Sequence, residues 1–391
     1  MPLRDGVTKR GSTWSFVIRV RDPETGISRP RWVGGFATEA AAKAARDEAR
    51  LMAHSGRYVD RSRITVGAYL DDWLEAHAMV IKPKTLQDYR HLIDRHVKPQ
   101  IGGVPLQAVR PARLTKLYRD LATSGGRRGT GLAPRTVEYV HAILRKALGD
   151  AVAVDQLLAS NPADRAKRPR ATRTELAEVW EPPQLRVFLQ TAADHRLFAF
   201  FHLAAFTGAR RGELLYLRWE HVDLQIAAVR IVGSAAVIGG DRVEGTTKTG
   251  RSRMVSIDAG TVQVLREHRE RQEAERLTVG PHWCGDDNKY VFTSAWGAPV
   301  HPDTVSSLMP VLLARHNANL AQGATELPRA RLHDLRHVHA TTLLRAGVPV
   351  HVVAARLGHA DPSITLRVYA HVIREQLVEA ADIFARALEA A

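Results

Sequence analysis

Four separated segments in the second half of this chain carry side chains whose types suit work on a phosphodiester. The first is Thr207-Gly208-Ala209-Arg210-Arg211-Gly212-Glu213-Leu214, where an apolar helix breaks at glycine and restarts with arginines at its turn. The second, Thr246-Thr247-Lys248-Thr249-Gly250-Arg251, is a turn-rich basic tip between two strand-like runs. In the third, His333-Asp334-Leu335-Arg336-His337, His333 and Arg336 stand three positions apart and project from one face of a helix. The fourth runs Leu357-Gly358-His359-Ala360-Asp361-Pro362 and on to Tyr369. There glycine ends one helix, Asp361-Pro362 opens the next, and Tyr369 lies on the latter. Taken singly, an exposed hairpin lysine or a core tyrosine accounts for each segment as well. Taken together, two arginines, a lysine, two histidines and a tyrosine make a complete metal-free set for phosphodiester transfer.

Two rival chemistries are weaker. His333 and His337 have the four-residue spacing of zinc-binding histidines in His-Glu-x-x-His proteases, but Asp334 stands where the glutamate would be and no third ligand is evident. A metal-dependent nuclease or transposase needs clustered carboxylates, whereas the acidic residues of the second half are scattered among basic ones.

The ordered segments resemble the tyrosine recombinase (phage integrase) family, whose signature is Arg, Lys, His-x-x-Arg, His and a nucleophilic Tyr. Arg210, Lys248, His333 with Arg336, His359 and Tyr369 meet it in order, and the Thr-Gly-x-Arg-x-x-Glu and Leu-Gly-His contexts are present too. The resemblance implies attack by the Tyr369 oxygen on DNA, leaving a 3′-phosphotyrosyl bond and a free 5′-hydroxyl. It assigns Arg210 and Arg336 to the phosphate oxygens, which guanidinium groups bind bidentately. His359 would donate a further hydrogen bond to the phosphate. His333 would assist proton transfer at Tyr369, and Lys248 would protonate the departing 5′-oxygen. Glu213 is expected to orient the arginines. Adjacent helical side chains point about 100° apart, so only one of Arg210 and Arg211 can face the pocket; the family register favours Arg210. Lys248 is favoured by its flanking threonines, with Arg251 and Arg253 as alternatives. No metal or nucleotide cofactor is implied, because the protein–DNA ester conserves the bond energy.

The elements that must position these groups are written in charge and periodicity. The 391 residues hold 56 Lys+Arg against 41 Asp+Glu, a formal charge of +15. The whole surplus lies in residues 1–173; residues 174–391 balance at 24 basic and 24 acidic side chains. A basic front half reads as a polyanion clamp. No stretch approaches the roughly 18 uninterrupted apolar residues of a membrane span, the amino terminus lacks a secretory apolar core, and Cys284 has no partner for an internal disulfide. A reducing cytoplasm is the expected location.

Trp14 to Arg21 alternates as a half-buried strand, with Arg19 and Arg21 on the other face. After the turn signal Asp22-Pro23-Glu24-Thr25-Gly26 comes a second extended run through Arg29, Arg31 and Val33, then a helix from Thr38 to Ala53 capped by Thr38. From Thr65 to about Leu158 the period is helical: Val66, Tyr69, Leu70, Trp73 and Leu74 keep one face, and Tyr89, Leu92, Ile93 and Val97 another. Further helices start near Pro111 and Pro134, separated by the basic loop Gly125-Gly126-Arg127-Arg128-Gly129. Asn161-Pro162 and the run Arg165–Arg170 read as a connector. After residue 174 an apolar helix, Leu197 to Phe206, precedes a strand-rich stretch from Ile226 to Ile257 and then mostly helices.

The expected fold is multidomain α+β, with four parts. Residues 1–60 form a small sheet-plus-helix domain for arm-type DNA, and 64–160 an all-α bundle for core-site DNA. A linker spans 161–174, and 175–391 form a mainly α catalytic domain with a small sheet. Arg19, Arg21, Arg29, Arg31, Lys82, Lys84, Arg127, Arg128 and Arg135 are the candidate DNA contacts. The resemblance implies an integrase of a phage or other mobile element acting on double-stranded arm-type and core-type attachment sites. It further implies a homotetramer on paired sites and an excisionase or other directionality factor. The tail Ile373, Leu377, Ala381, Phe384 and Leu388 is expected to form an amphipathic helix that folds back or docks on a neighbouring subunit. Two other functions fit the same fold: a regulatory or architectural DNA-binding protein, and a type IB topoisomerase-like relaxase.

Overall fold

The computed structural model describes residues 6–21, 26–55, 58–169, 180–247, 250–285, 289–320 and 326–369, together with Arg386 and Glu389. It divides into two compact units, Met1–Thr174 and Glu175–Ala391. No helix among the described residues is long and apolar enough to cross a membrane.

The first unit opens with a three-stranded antiparallel sheet, β1 (Val7–Arg10), β2 (Thr13–Arg21) and β3 (Ser28–Phe36), in the order β1-β2-β3. Alternation buries Phe16 and Ile18 against α1 (Glu39–His54), whose N-cap Thr38 accepts the Ala41 N–H. The turn signal at 22–25 lies outside the described residues. β1 goes beyond the sequence reading: four residues ending at a Gly11 with φ of +60° are too short to show a period.

The strand register divides the arginines between the two faces of the sheet. Arg19 lies opposite Pro30, whereas Arg29 lies opposite Val20 and Arg31 opposite Ile18. Directly opposed residues share a face, so Arg29 and Arg31 stand on the side of the buried Ile18, and Arg19 stands on the other. One extra residue in β3 at Gly34-Gly35, between the Trp14↔Phe36 and Phe16↔Val33 pairs, is a bulge of the kind that sets strand phase. Arg19, Arg29 and Arg31 are exposed, Arg31 meeting Asp60 at 3.4 Å; the Arg21 side chain lies outside the described residues.

The rest of this unit is helical: α2 (Val66–His77), α3 (Pro83–Leu92), α4 (Lys98–Ile101), α5 (Pro111–Ser124) and α6 (Pro134–Ala153). Thr65 caps α2, and prolines occupy the first turns of α3, α5 and α6, where their missing N–H has no intrahelical partner. The expected continuous face through Tyr89, Leu92, Ile93 and Val97 is interrupted by a π turn, Ile93–Val97, in which the Lys98 N–H reaches back to Ile93 O. Pro99 follows directly, and its lack of an N–H leaves the ladder incomplete at that point. Leu70, Leu74, Ile93, Leu106, Leu114, Tyr118 and Leu144 fill the core. Tyr69 donates to Ala147 O and Asp155, and Trp73 donates to Asp150 at 2.9 Å, so the polar tips of both aromatic rings are satisfied.

Residues 161–167, expected within the linker, pack on the bundle. Asn161 caps a short 3-10 turn, Pro162–Arg165, and Pro162, Ala163 and Ala166 are buried with the bundle core. Asn161 donates to Arg145 O and Lys167 N–H donates to Thr115 Oγ1, which binds this segment to α6 and α5. A polar, proline-containing run looks like a linker, yet its small apolar residues seal the bundle.

The second unit begins with α7 (Pro182–Ala192), α8 (Phe198–Thr207) and α9 (Arg211–Tyr216). Phe188, Phe200, Phe201, Leu214, Leu265 and Phe292 centre its core. Five strands follow: β4 (Val222–Asp223), β5 (Ala228–Ile231), β6 (Gly233–Ile238), β7 (Asp241–Thr246) and β8 (Arg253–Ser256). They form two sheets, β4-β5-β8 and β6-β7. The strands either side of Lys248 therefore belong to different sheets and are not the two arms of one hairpin. Helices α10 (Ala259–Val279), α11 (Pro302–Ala318), α12 (Asp334–Arg345), α13 (Val350–Leu357) and α14 (Pro362–Val368) complete the unit.

Candidate active site

α8 is apolar on every side and ends at Gly208, whose φ of +62° is left-handed. A Cβ there would come within 2.7 Å of Leu357 and 2.8 Å of His339, so backbone and packing both require glycine. This tight turn delivers Arg210 as the N-cap of α9. Glu213, in the first turn of α9, accepts the Arg210 N–H at 2.9 Å and its guanidinium at 2.8 Å. Arg211 points elsewhere, to Ser306 Oγ at 2.7 Å and Asp303 on α11, which leaves Arg210 as the inward arginine.

Strand alternation puts Arg253 on the same side of β8 as buried Val255. Its guanidinium forks onto Glu213 at 2.7 and 3.2 Å, and its Nε donates to Arg356 O at 3.0 Å. Burial alone would raise the pKa of Glu213, but the hydrogen bond and charge of Arg253, then those of Arg210, hold it below the ordinary carboxylate value. Gly358, at φ +69°, packs against the same guanidinium; a Cβ would stand 2.7 Å from it. Arg253 thereby ties the Arg210 turn to the Leu357-Gly358-His359 turn.

Arg336, on the first turn of α12, is 4% exposed. It donates to Gly208 O at 2.7 Å, to Leu357 O at 2.8 Å and to His359 Nε2 at 2.9 Å. Burial, then the charge of Arg210, pulls its pKa down to about 9. Guanidinium stays charged at neutral pH, so the depression marks a site where three arginines face one carboxylate and an anion is wanting.

His359 donates through Nδ1 to Thr365 Oγ1 at 2.6 Å, since its Nε2 is the acceptor for Arg336. Burial and the charges of Arg336, Arg210 and Arg253 lower its pKa to about 4, so it is neutral at pH 7. The expected donor to phosphate is thus, in the free protein, an acceptor from arginine.

Tyr369 is the C-cap residue just past α14, where the sequence reading put it on the helix. Its ring is 2% exposed among Ala340, Leu344, Val353 and Leu357, and burial raises the phenol to about 12. Its hydroxyl lies 3.0 Å from Nδ1 of His337, not of His333. The sequence assigns proton transfer at Tyr369 to His333, whereas the ring in contact with the phenol here is that of His337. His333, an exposed residue, occupies the N-cap position of α12 without a side-chain cap hydrogen bond, its ring edge-on to His337 at 5.1 Å between centroids. The difference is one helical turn: the face that packs on the tyrosine carries position 337.

Lys248 lies outside the described residues, as do the tail positions Ile373, Leu377, Ala381, Phe384 and Leu388. Around Lys248, Gly250 N–H donates to Thr247 O at 3.1 Å and Thr247 Oγ1 donates to Arg251 O. Lys82, Arg127, Arg128 and Arg135 are exposed on the first unit, and Lys84 is exposed but paired with Asp88 at 2.9 Å. The structure adds His337, Arg253 and Thr365 to the expected set. Arg253 was visible as an alternative to Lys248 and His337 through its zinc-like spacing, but neither function was legible from sequence.

Compared with known proteins, residues 179–376 match the Phage integrase family, residues 65–122 the Phage integrase, N-terminal SAM-like domain, and residues 7–50 the Arm DNA-binding domain. A "Tyrosine recombinase XerC-like" of Caldanaerobacter subterraneus subsp. tengcongensis is 28% identical over 381 residues, 93% of each chain. An integrase of Streptomyces ambofaciens is 30% identical over 329 residues, 79% of this chain and 77% of its own. In fold, the Tn1549 transposon integrase, solved with transposon right end DNA, matches with a TM-score of 0.66 at 18% identity, over 81% of this chain and 99% of that one. A lambda integrase dimer bound to a COC′ core site matches at 0.53 and 17% identity, over 94% and 95%. The family match makes this a DNA strand-exchange enzyme, with an amino-terminal module that matches the Arm DNA-binding domain. The chain belongs to the phage integrase family of tyrosine recombinases and catalyses site-specific DNA recombination.

Proposed function

We propose that this enzyme integrates a phage or other mobile element by breaking and rejoining DNA through a 3′-phosphotyrosyl bond at Tyr369. The observation that carries the assignment is the anion-poor knot of Arg210, Arg253 and Arg336 beside a buried tyrosine, whose phenol burial raises and the Arg336 charge pulls partly back. A phosphodiester supplies the missing negative charge. Arg210 and Arg336 take its non-bridging oxygens, a preorganised contribution of about 3 kcal/mol for each such donor. Tyr369 Oη bonds to phosphorus as the bond to the 5′-oxygen breaks, and Lys248 protonates that oxygen. Rejoining reverses these steps, so the ester's energy is kept and no nucleotide is consumed.

His359 acquires its donor role through a tautomer change. When phosphate draws Arg336 away from Nε2, the proton can sit on Nε2, and the Thr365 hydroxyl turns from acceptor to donor at Nδ1. The ring keeps its anchor in both states.

The basic first unit is assigned to double-stranded attachment DNA, with residues 1–60 on arm-type sites and 64–160 on core-type sites. The working form is a homotetramer on paired sites, in the bacterial cytoplasm, with an excisionase or similar factor setting direction. A lambda integrase tetramer bound to a Holliday junction, matched at a TM-score of 0.54, supports the tetramer. The test uses a nicked suicide duplex made from DNA flanking the coding sequence, followed by mass spectrometry of the digest. The expected result is one adduct, on Tyr369, at one sequence; Tyr369→Phe abolishes it while DNA binding stays within about twofold. Adducts at many sequences would indicate a relaxase, and binding with no adduct a regulatory protein.

A further inference from the structure

Attack by a phenol requires that its proton go somewhere, and the position of Tyr369 restricts where. The ring is enclosed by α12 and α13 side chains, and among the described residues its hydroxyl has one hydrogen-bond partner, His337 Nδ1 at 3.0 Å. We propose that His337 is the proton acceptor for Tyr369 in cleavage and the proton donor to it in rejoining, with His333 acting at most through His337. This rests on the reading of Tyr369 as the nucleophile.

The step balances simply. As Oη forms its bond to phosphorus, the O–H pair stays on Oη and the proton moves to Nδ1. The bond to the 5′-oxygen breaks, and that oxygen takes its proton from another donor. In the reverse step the 5′-hydroxyl attacks, the phenolate leaves, and Nδ1 returns the proton to it. One group serves both directions, as reversibility demands.

The surroundings suit a base that holds the proton briefly. With a phenol near 12, only about one molecule in 10⁵ would be ionised at pH 7 without help. The groups facing His337 are Asp334, Arg336 and His333 on or at the start of α12, Arg331 just before it, and Tyr369 from the end of α14. Burial first, then Arg336 and Arg331, lower its pKa against the opposing pull of Asp334, so Nδ1 is free to accept at neutral pH. Once protonated, the imidazolium sits at the positive end of α12, beside Arg336, with Asp334 as its only opposite charge among these groups. That balance favours giving the proton back. His333 lacks this access: its ring stands edge-on against His337 and it has no hydrogen bond to the phenol.

The test measures single-turnover cleavage of the same nicked duplex by the full chain, with DNA binding measured in parallel. His337→Ala is expected to slow adduct formation by on the order of 10²- to 10⁴-fold. His337→Asn, which can still hydrogen-bond the phenol but cannot take its proton, is expected to be as slow. Neither is rescued by a 5′-bridging phosphorothiolate, whose sulfur leaves without protonation, whereas Lys248→Ala is. The wild-type rate rises with pH to the folded pKa of His337, below 6.5, and then levels; in His337→Ala it continues to rise with hydroxide. Cleavage by His337→Ala at the wild-type rate or faster, or recovery in His337→Asn, overturns the proposal while leaving the Tyr369 adduct intact. A wild-type adduct on another residue overturns both readings.

Discussion

Arg336 and Tyr369 are both almost wholly buried, at 4% and 2% exposure, yet they are fixed by opposite means. The guanidinium spends its donors on Gly208 O, Leu357 O and His359, and its neighbours Arg210 and Arg253 share the buried Glu213. The phenol rests in apolar contacts with Ala340, Leu344, Val353 and Leu357 and makes one hydrogen bond. Hydrogen bonds to charged groups are directional and costly to break, whereas apolar packing is neither to the same degree. The arginine cluster proposed to bind phosphate is therefore held with little freedom, the Arg336–His359 hydrogen bond being the one contact given up on the proposed route, which suits electrostatic stabilisation of a transition state. The apolar setting of Tyr369 suits its proposed role, in which the phenol oxygen advances and returns.

The comparison breaks most completely at Glu213. Its side chain is 1% exposed between Arg210 and Arg253, at 27% and 12%. Replacing it with Gln keeps the shape but leaves two arginines facing each other without a counter-charge. Removing one member of a buried ion pair typically costs about 3–5 kcal/mol. The expected outcome of Glu213→Gln is a fall of about a hundredfold or more in single-turnover cleavage together with a lower melting temperature for the catalytic unit. A variant that cleaves normally would show that Arg210 is positioned by the Gly208 turn alone.

A smaller effect is expected at Gly358, where the two halves touch. Its φ of +69° is left-handed, and a Cβ would stand 2.7 Å from the Arg253 guanidinium. Gly358→Ala forces that guanidinium to shift, which disturbs Glu213 and the adjacent His359 together. Cleavage is expected to fall about tenfold, with a stability loss of about 1–2 kcal/mol for the strained conformation. Combining it with Arg253→Met should cost less than the sum of the two single changes, because the truncated side chain no longer meets the Cβ.

How much of this was legible in the sequence depends on how local each cause is. Thr38, Thr65, Pro111 and Pro134 start helices by bonds made or omitted within their own first turns, so they could be read from the sequence. The π turn before Pro99 and the burial of Ala163 and Ala166 depend on partners across the bundle. Strand pairing is less local still: β8 joins β5, and nothing around Lys248 marks that it skips β7. In the site, Arg210, Arg336, His359 and Tyr369 were found through a family pattern. The alignment of His337 with Tyr369 is set by which side of α12 the tyrosine packs against, 32 residues away. That Arg29 and Arg31 lie on the face opposite Arg19 is set by one bulge residue, invisible to a count of alternation.

The smallest expected effect separates the two halves by acidity. His339 and His359 have folded pKa values of about 4, lowered from 6.5 chiefly by burial, and His337 is lowered as well. Below pH 6.5 the unfolded chain binds protons that the folded one refuses, so stability is full above 6.5 and is lost progressively as pH falls toward 4. Glu213 obeys the same sign in a lower window: its folded value lies below its ordinary 4.5, so its contribution holds above 4.5 and is lost only beneath it. Acid should therefore loosen the histidine-lined packing of α12 and α13 around Tyr369 before it opens the arginine–carboxylate knot. Hydrogen exchange between pH 7 and 4 is expected to show protection falling first in residues 337–357 and only later in residues 210–216. The reverse order would mean that the arginine knot, not the tyrosine cluster, is the less stable half.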